Sequence, residues 1–221
     1  MDQSAIYRDK SPSIKSKATL AAIHFLIVLA VLWILFGVQH QGSSGLRRSL
    51  LAAVAILYFT RVLGTLFVFI KRKVGWSEVA TIAVWVGFID ILIAHFGAMS
   101  DVKVGAWTLV GGLMVLTGSA VNTGSEWQRM VWKRRPENKG HLYTGGMWGL
   151  SRHVNYFGDI VLFTGWVLMS GQPALLIIPV VMFGGFAFGN IPAQDRYLLE
   201  RYGEEYKLYE KSTARLIPFI F

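Results

Sequence analysis

The chain has 221 residues, of which 53% are hydrophobic and 16% charged, with a mean hydropathy of +0.45; soluble domains carry about 25% charged residues, so a soluble globular enzyme is excluded. Cysteine is absent and prolines number six, which removes disulfide frameworks, thiolate metal sites and c-type haem attachment, as well as disordered or fibrous chains. A net charge of +9 in so apolar a chain reads as membrane topology and attraction of an anionic cofactor, not as nucleic-acid binding.

A membrane-spanning helix needs about 20 mostly apolar residues, each rising about 1.5 Å through the hydrocarbon core. Six segments qualify: 18–38, 50–70, 78–98, 104–121, 155–170 and 173–189. The expected fold is an all-α, polytopic membrane helical bundle of about six transmembrane helices. It forms a single integral-membrane domain over residues 1–221. The first span follows a basic segment, but its apolar run of about 21 residues exceeds the ~7–15 of a signal peptide, and it reads as a retained anchor. The last two spans, separated by Gly171 and Gln172, read as a helical hairpin.

Lys and Arg set the orientation. With the N-terminus in the cytoplasm, the inside segments hold eighteen of them and the outside loops three, Arg47, Arg48 and Lys103. Both termini are therefore expected to be cytoplasmic. Two polar cytoplasmic parts result, loop 122–154 and tail 190–221. In the tail, Tyr197, Leu198, Tyr202, Tyr206 and Tyr209 recur at three- and four-residue spacing, the pattern of an amphipathic helix at the membrane surface.

Arg61 and Asp90 lie inside spans, where an isolated charge costs about 2.5–3.5 kcal/mol on insertion scales. Both fall near mid-depth, so a pair between them is geometrically reasonable, either as a structural salt bridge or as the lining of a polar cavity. Tyr58 sits one helical turn before Arg61 on the same face. His24 and His95 lie at depths that differ too much for one haem iron. The five histidines have no HxxxH or HExxH spacing, and no metal site is expected. Ser151, His153 and Asp159 have hydrolase-triad chemistry but lack a GxSxG elbow.

The most informative stretch runs from Glu126 to Asp159. Arg129, Lys133, Arg134 and Arg135 fall within seven residues, followed by Gly145, Gly146 and Gly149, and then Arg152-His153 at the mouth of a span. Fixed cations beside glycine-bearing backbone and a helix N-terminus suit a polyphosphate. The same cations also suit a loop that only sets topology.

Arg152-His153-Val154-Asn155-Tyr156-Phe157-Gly158-Asp159 resembles the Arg-His-x-Asn-Tyr-x-Gly-acid signature of membrane sterol reductases. The segment from Tyr209 to Phe221 is similar to the C-terminus of steroid 5-alpha-reductases. Lys133-Arg134-Arg135-Pro136-Glu137-Asn138-Lys139-Gly140 with Tyr143-Thr144-Gly145-Gly146 resembles a small-protein branch of that family. The likeness covers about residues 122–221. Upstream, Tyr58-Phe59-Thr60-Arg61 resembles the family's Tyr-x-x-Arg element.

This resemblance implies an NADPH-dependent reductase of a carbon–carbon double bond in a lipid or steroid-like substrate that enters from the bilayer. It assigns Arg152, His153, Asn155, Tyr156 and Asp159 to the cofactor pocket, and Arg134 and Arg135 to its adenine-ribose end. Arg61 and the tail carboxylate Asp195 are further cofactor contacts. Tyr58 takes the proton-donating position, a role that suits a phenol of pKa about 10 in a dry site. The family's glutamate partner to the tyrosine has no matching motif. Glu78 and Asp90 are the candidates for it, with Glu78 carried as catalytic beside Tyr58. The extra N-terminal helices of sterol reductases are absent from this chain. The signature is shared with isoprenylcysteine carboxyl methyltransferases, which makes S-adenosylmethionine-dependent methyl transfer the competing reading. Arg134 and Arg135 suit a 2′-phosphate better than a sulfonium, and the tail reads Gln194-Asp195, with one acid where that family has a pair.

Overall fold

A computed structural model describes residue 9, residues 11–38 and residues 44–221. Part of the basic N-terminal segment and of the first loop between spans lies outside the described residues. Within them the chain is all-helical, with no strand. Helix α1 is Ile14–Gly37, α2 Gly45–Phe69 and α3 Trp76–Ala98. Helix α4 is Ala106–Lys133, α5 Val154–Ser170, α6 Pro173–Tyr202 and α7 Glu204–Ser212.

Four of these, α1, α2, α3 and α6, are long and apolar enough to cross a membrane, and α5 is a shorter apolar helix. Trp33, Phe88, Leu109, Val180 and Phe188 are among many large apolar side chains left exposed. A surface of that kind requires lipid around it. The chain is an integral membrane protein.

Two elements differ from expectation. Helix α4 does not stop at 121 but continues to Lys133, because nothing in the sequence breaks it before Pro136. Arg129 and Lys133 are therefore helical residues. The sixth apolar helix does not end at 189 either. It widens into a π turn over Gly185–Asn190, which accommodates the missing N–H of Pro192, and runs on to Tyr202. The break falls at Gly203, whose φ of +53° favours glycine.

Helices α4 and α5 form an antiparallel pair with a glycine seam. A Cβ placed on Gly118 would lie 2.5 Å from the Gly158 carbonyl oxygen. Gly111 and Gly165 make the equivalent approach one heptad away. Small residues at such contacts let backbones meet in lipid. At that end of the bundle where α5 stops, Arg47 is 1% exposed. It donates to the carbonyls of Met169 at 2.6 Å and Val102 at 2.5 Å. Counted as a loop cation in the sequence, it is a buried staple. At the opposite end Ser16 donates to Val74 O and Lys17 to Ile70 O, both at 2.7 Å. These bonds tie the start of α1 to the end of α2 and the start of α3.

Candidate active site

At this second end, the residues before α5 are held by the end of α4 and by the segments that follow α5. Trp148 donates through Nε1 to Ser125 O at 2.8 Å, and its own carbonyl accepts from the Tyr209 hydroxyl at 2.5 Å. The Arg129 guanidinium lies 4.8 Å from the Trp148 ring and pairs with Glu126. Gly146, with φ +57°, lets the chain turn so that Met147 N donates to Gln128 Oε1 at 3.0 Å. Ser151 Oγ donates to Leu216 O at 2.8 Å, and Arg152 N to Ala214 O at 2.8 Å.

Arg152 and His153 are consequently buried. Arg152 Nη1 donates to the Tyr206 hydroxyl at 2.7 Å and to Glu210 at 3.0 Å, and lies 3.6 Å from Asp195. His153 Nε2 sits 2.7 Å from Asp195 Oδ1. The Tyr206 hydroxyl donates to the same oxygen at 2.5 Å, and Arg215 approaches the carboxylate at 3.6 Å. Asp195 is thus the hub of four groups. Burial pushes the His153 imidazole towards its neutral form, a drift that the Asp195 hydrogen bond opposes. Tyr156 stacks between the rings of His153 at 5.8 Å and Phe186 at 4.5 Å.

One turn deeper, Asn155 donates through Nδ2 to Glu126 Oε1 at 3.0 Å, and its carbonyl accepts from Asn122 at 2.9 Å. Asp159 pairs with Arg61 at 2.7 Å, and the Arg61 guanidinium lies 5.0 Å from the Tyr58 ring centroid. Tyr58 is 8% exposed and packs edge-on against Phe163 at 5.1 Å. The expected Arg61–Asp90 pair does not form. Arg61 belongs to Asp159, and Asp90 instead faces His24 at 3.4 Å. Depth along a helix was legible in the sequence; which way each side chain points around it was not.

Glu78 lies away from Tyr58. Its carboxylate takes both Arg72 nitrogens, at 2.8 and 2.5 Å, so the structure does not bring it to the tyrosine. Arg134 and Arg135 are exposed at the end of α4, with Arg134 Nη2 3.6 Å from Met130 Sδ. Beside them a groove of about 550 Å3 is lined by Trp132, His141, Thr144, Glu205 and Tyr209 among others. The triad geometry is absent: Ser151 faces the tail carbonyls, His153 faces Asp195 and Asp159 faces Arg61. Among the described residues no cluster of His, Asp and Glu suits a metal.

Sequence reasoning missed Glu126, Asn122, Tyr206 and Glu210. The last two carried a signal, an i, i+4 pair on one helix face opposite a buried arginine.

Several buried polar atoms have no hydrogen-bond partner: Arg61 Nε, Arg152 Nε, His153 Nδ1, Asn155 Oδ1 and Gln194 Oε1. Buried polar groups are ordinarily paired. The orphaned atoms gathered around the start of α5 leave hydrogen-bonding capacity for a polar occupant.

A family model described as a protein of unknown function, DUF1295, matches residues 76–213, more than half of the chain. The chain belongs to this family. It is 30% identical over 155 residues to a Delta(14)-sterol reductase of Ascobolus immersus, covering 63% of this chain and 36% of that one. The mouse Delta(14)-sterol reductase TM7SF2 is 26% identical over 183 residues, 76% of this chain and 44% of that one. The Saccharomyces cerevisiae protein-S-isoprenylcysteine O-methyltransferase is 29% identical over 119 residues, 51% of this chain and 49% of that one. The chain thus spans less than half the length of these relatives. The likeness to sterol reductases, with methyltransferase cousins, is the one expected from the Arg152–Asp159 signature.

Proposed function

We propose that this protein is a membrane-embedded, NADPH-dependent reductase of a carbon–carbon double bond in a lipid or steroid-like enone. The observation that carries the reading is the chain Tyr58–Arg61–Asp159. It links a buried phenol in α2 to the last residue of the Arg-His motif through the 2.7 Å ion pair. NADPH, when bound, supplies the hydride. Arg61, Arg152, His153, Asn155, Tyr156, Asp159 and Asp195 would hold it, and Arg134 and Arg135 would pair with its 2′-phosphate. The Tyr58 phenol, buried beside the Arg61–Asp159 pair, donates a hydrogen bond to the oxygen on which charge develops and then protonates it.

In this reading the bundle crosses the membrane six times with both termini in the cytoplasm, and residues 204–212 form an amphipathic helix at that surface. The cofactor enters from the cytoplasm, drawn by the basic loop, and the substrate enters from the bilayer. Methyl transfer from S-adenosylmethionine is the second reading, supported by the similarity to methyltransferases. Against it, the matching tail position reads Gln194-Asp195 and so carries one carboxylate where methyltransferases of that kind have a pair.

Calorimetric titration of detergent-purified protein with NADPH, NADH and S-adenosylmethionine tests the proposal. Tight NADPH binding, weak NADH binding and no response to S-adenosylmethionine are expected. Heat from S-adenosylmethionine alone would establish the second reading instead.

A further inference from the structure

Residues 216–221 make a tight hook. Leu216 N and Ile217 N donate to Phe221 O at 2.5 and 2.6 Å, and Ile220 N and Phe221 N both donate to Ile217 O at 3.1 Å. The tip carries Phe219 and Ile220, which are 83% and 82% exposed. Phe219 has a φ of +65°, in the left-handed region that a bulky side chain rarely adopts. Such a tip joins backbone strain to two uncovered apolar groups, an arrangement that water disfavours twice.

The hook runs along α6. Buried Leu216 packs with Ala187 and Ile191, and the Phe221 ring lies 6.1 Å from that of Phe183. From Ile191 back to Phe183 the helix axis covers about 12 Å, at ~1.5 Å per residue. That direction leads away from Gln194, Asp195 and Arg196 and into the apolar part of a helix long enough to cross a membrane. Val180, Val181 and Phe188 of the same stretch are exposed, a surface that belongs to lipid. Phe219 and Ile220 continue it. Arg215, just ahead of the hook, approaches Asp195 at 3.6 Å, so the chain passes from a polar level to an apolar one within a few residues, as interfacial segments do.

We infer that residues 217–221 are a membrane-inserted anchor, whose partner is the acyl-chain layer of the bilayer, and that its insertion clamps the tail over the start of α5. The residues directly ahead of the hook are the ones that make the closure. Ala214 O accepts from Arg152 N and Leu216 O from Ser151 Oγ, both at 2.8 Å. Transfer of two large apolar side chains into lipid stabilises the position in which these carbonyls meet α5. The bilayer thereby acts on the buried Arg152 and His153 through the segment that covers them.

The chain has no cysteine, so single nitroxide labels can be placed without removing any residue. Ile220→Cys, Val180→Cys and Lys207→Cys are labelled in the full chain, in nanodiscs of phosphatidylcholine and phosphatidylglycerol. At Ile220, as at Val180, the label should collide more with oxygen than with a water-soluble nickel chelate, and at exposed Lys207 the order should reverse. Nickel access at Ile220 matching that at Lys207 would overturn the anchor. Low access to both reagents would place protein over the hook, a second copy of the chain, and overturn it equally. The clamp is read by trypsin. Phe219→Ser with Ile220→Ser should speed cleavage after Lys211 and Arg215 in nanodiscs by roughly tenfold or more, while Phe219→Leu with Ile220→Val stays as resistant as the wild type. Ile220→Ser alone, which keeps one anchoring group, should give a smaller increase and serves if the double serine variant does not fold. Wild-type resistance in the serine variants would show that the tail stays closed without the anchor.

Discussion

Arg61 and Asp159 meet at 2.7 Å across α2 and α5, with side chains 9% and 19% exposed, and this contact fastens the Tyr58-bearing helix to the Arg-His motif. Asp159→Asn leaves a buried guanidinium without its counter-charge, a loss of about 3–5 kcal/mol. The thermal midpoint in detergent should fall clearly. Replacing both residues, Arg61→Met with Asp159→Leu, should restore much of the stability while NADPH binding stays lost. An unchanged midpoint in Asp159→Asn would mean the pair does not form.

The exposed Arg134 and Arg135 mark the 2′-phosphate end of the proposed cofactor site. Changing both to Ala should weaken NADPH by roughly tenfold or more, the scale of a lost charge-assisted contact, and leave NADH nearly unaffected. Equal losses for the two dinucleotides, measured by the same titration, would remove the 2′-phosphate role.

The α4–α5 seam predicts opposite outcomes for two neighbouring glycines. Gly118→Ala drives a methyl group to within 2.5 Å of the Gly158 carbonyl and the Leu162 amide nitrogen, and the helices must separate. A loss of about 1–3 kcal/mol is expected. Gly112 on the same helix has nothing within 4 Å of its Cβ position, so Gly112→Ala should be neutral, or stabilise by up to about 1 kcal/mol through helix propensity. Thermal melts of the two variants side by side decide it.

Alkali should loosen the tail. Burial raises the phenols of Tyr206 and Tyr209 above the ordinary tyrosine value. Each group therefore keeps its proton in the fold at a pH where the unfolded chain has lost it. Their contribution is intact below about pH 10 and declines as pH rises above that value. Tyr209→Phe should melt lower at neutral pH, by about 1–2 kcal/mol for the unpaired Trp148 carbonyl, and lose less than the wild type between pH 8 and 11. A parallel decline in both would place the alkaline transition elsewhere.

The apolar runs that become α1, α2 and α3 were legible because lipid imposes length and hydropathy directly on sequence. The grouping of Asp195 with Arg152 and His153 was reachable only through family likeness, since nothing in the spacing links residue 195 to residue 152. The partner of Asp90 was not legible at all. A helical residue's height follows from counting, but its azimuth depends on how neighbouring helices are rotated, and at one depth Arg61 had more than one acid to choose from. The surroundings of Glu78 were hidden for a related reason. Arg72, six residues earlier, folds back on it in the turn leading into α3, a local contact that outcompetes any distant tyrosine.

The buried surroundings of Arg152 and His153 also set a schedule for biosynthesis. Their partners, Asp195, Tyr206, Glu210 and the Ala214 carbonyl, are made tens of residues later, and the Leu216 carbonyl that accepts from the adjoining Ser151 lies 65 positions on. While α5 is being inserted, a guanidinium and an imidazole at its mouth have only water and lipid headgroups to face. The centre closes only when the later-made segment around Asp195, Tyr206 and Leu216 packs back over the entrance of α5, so the proposed cofactor site is completed after that helix has been inserted.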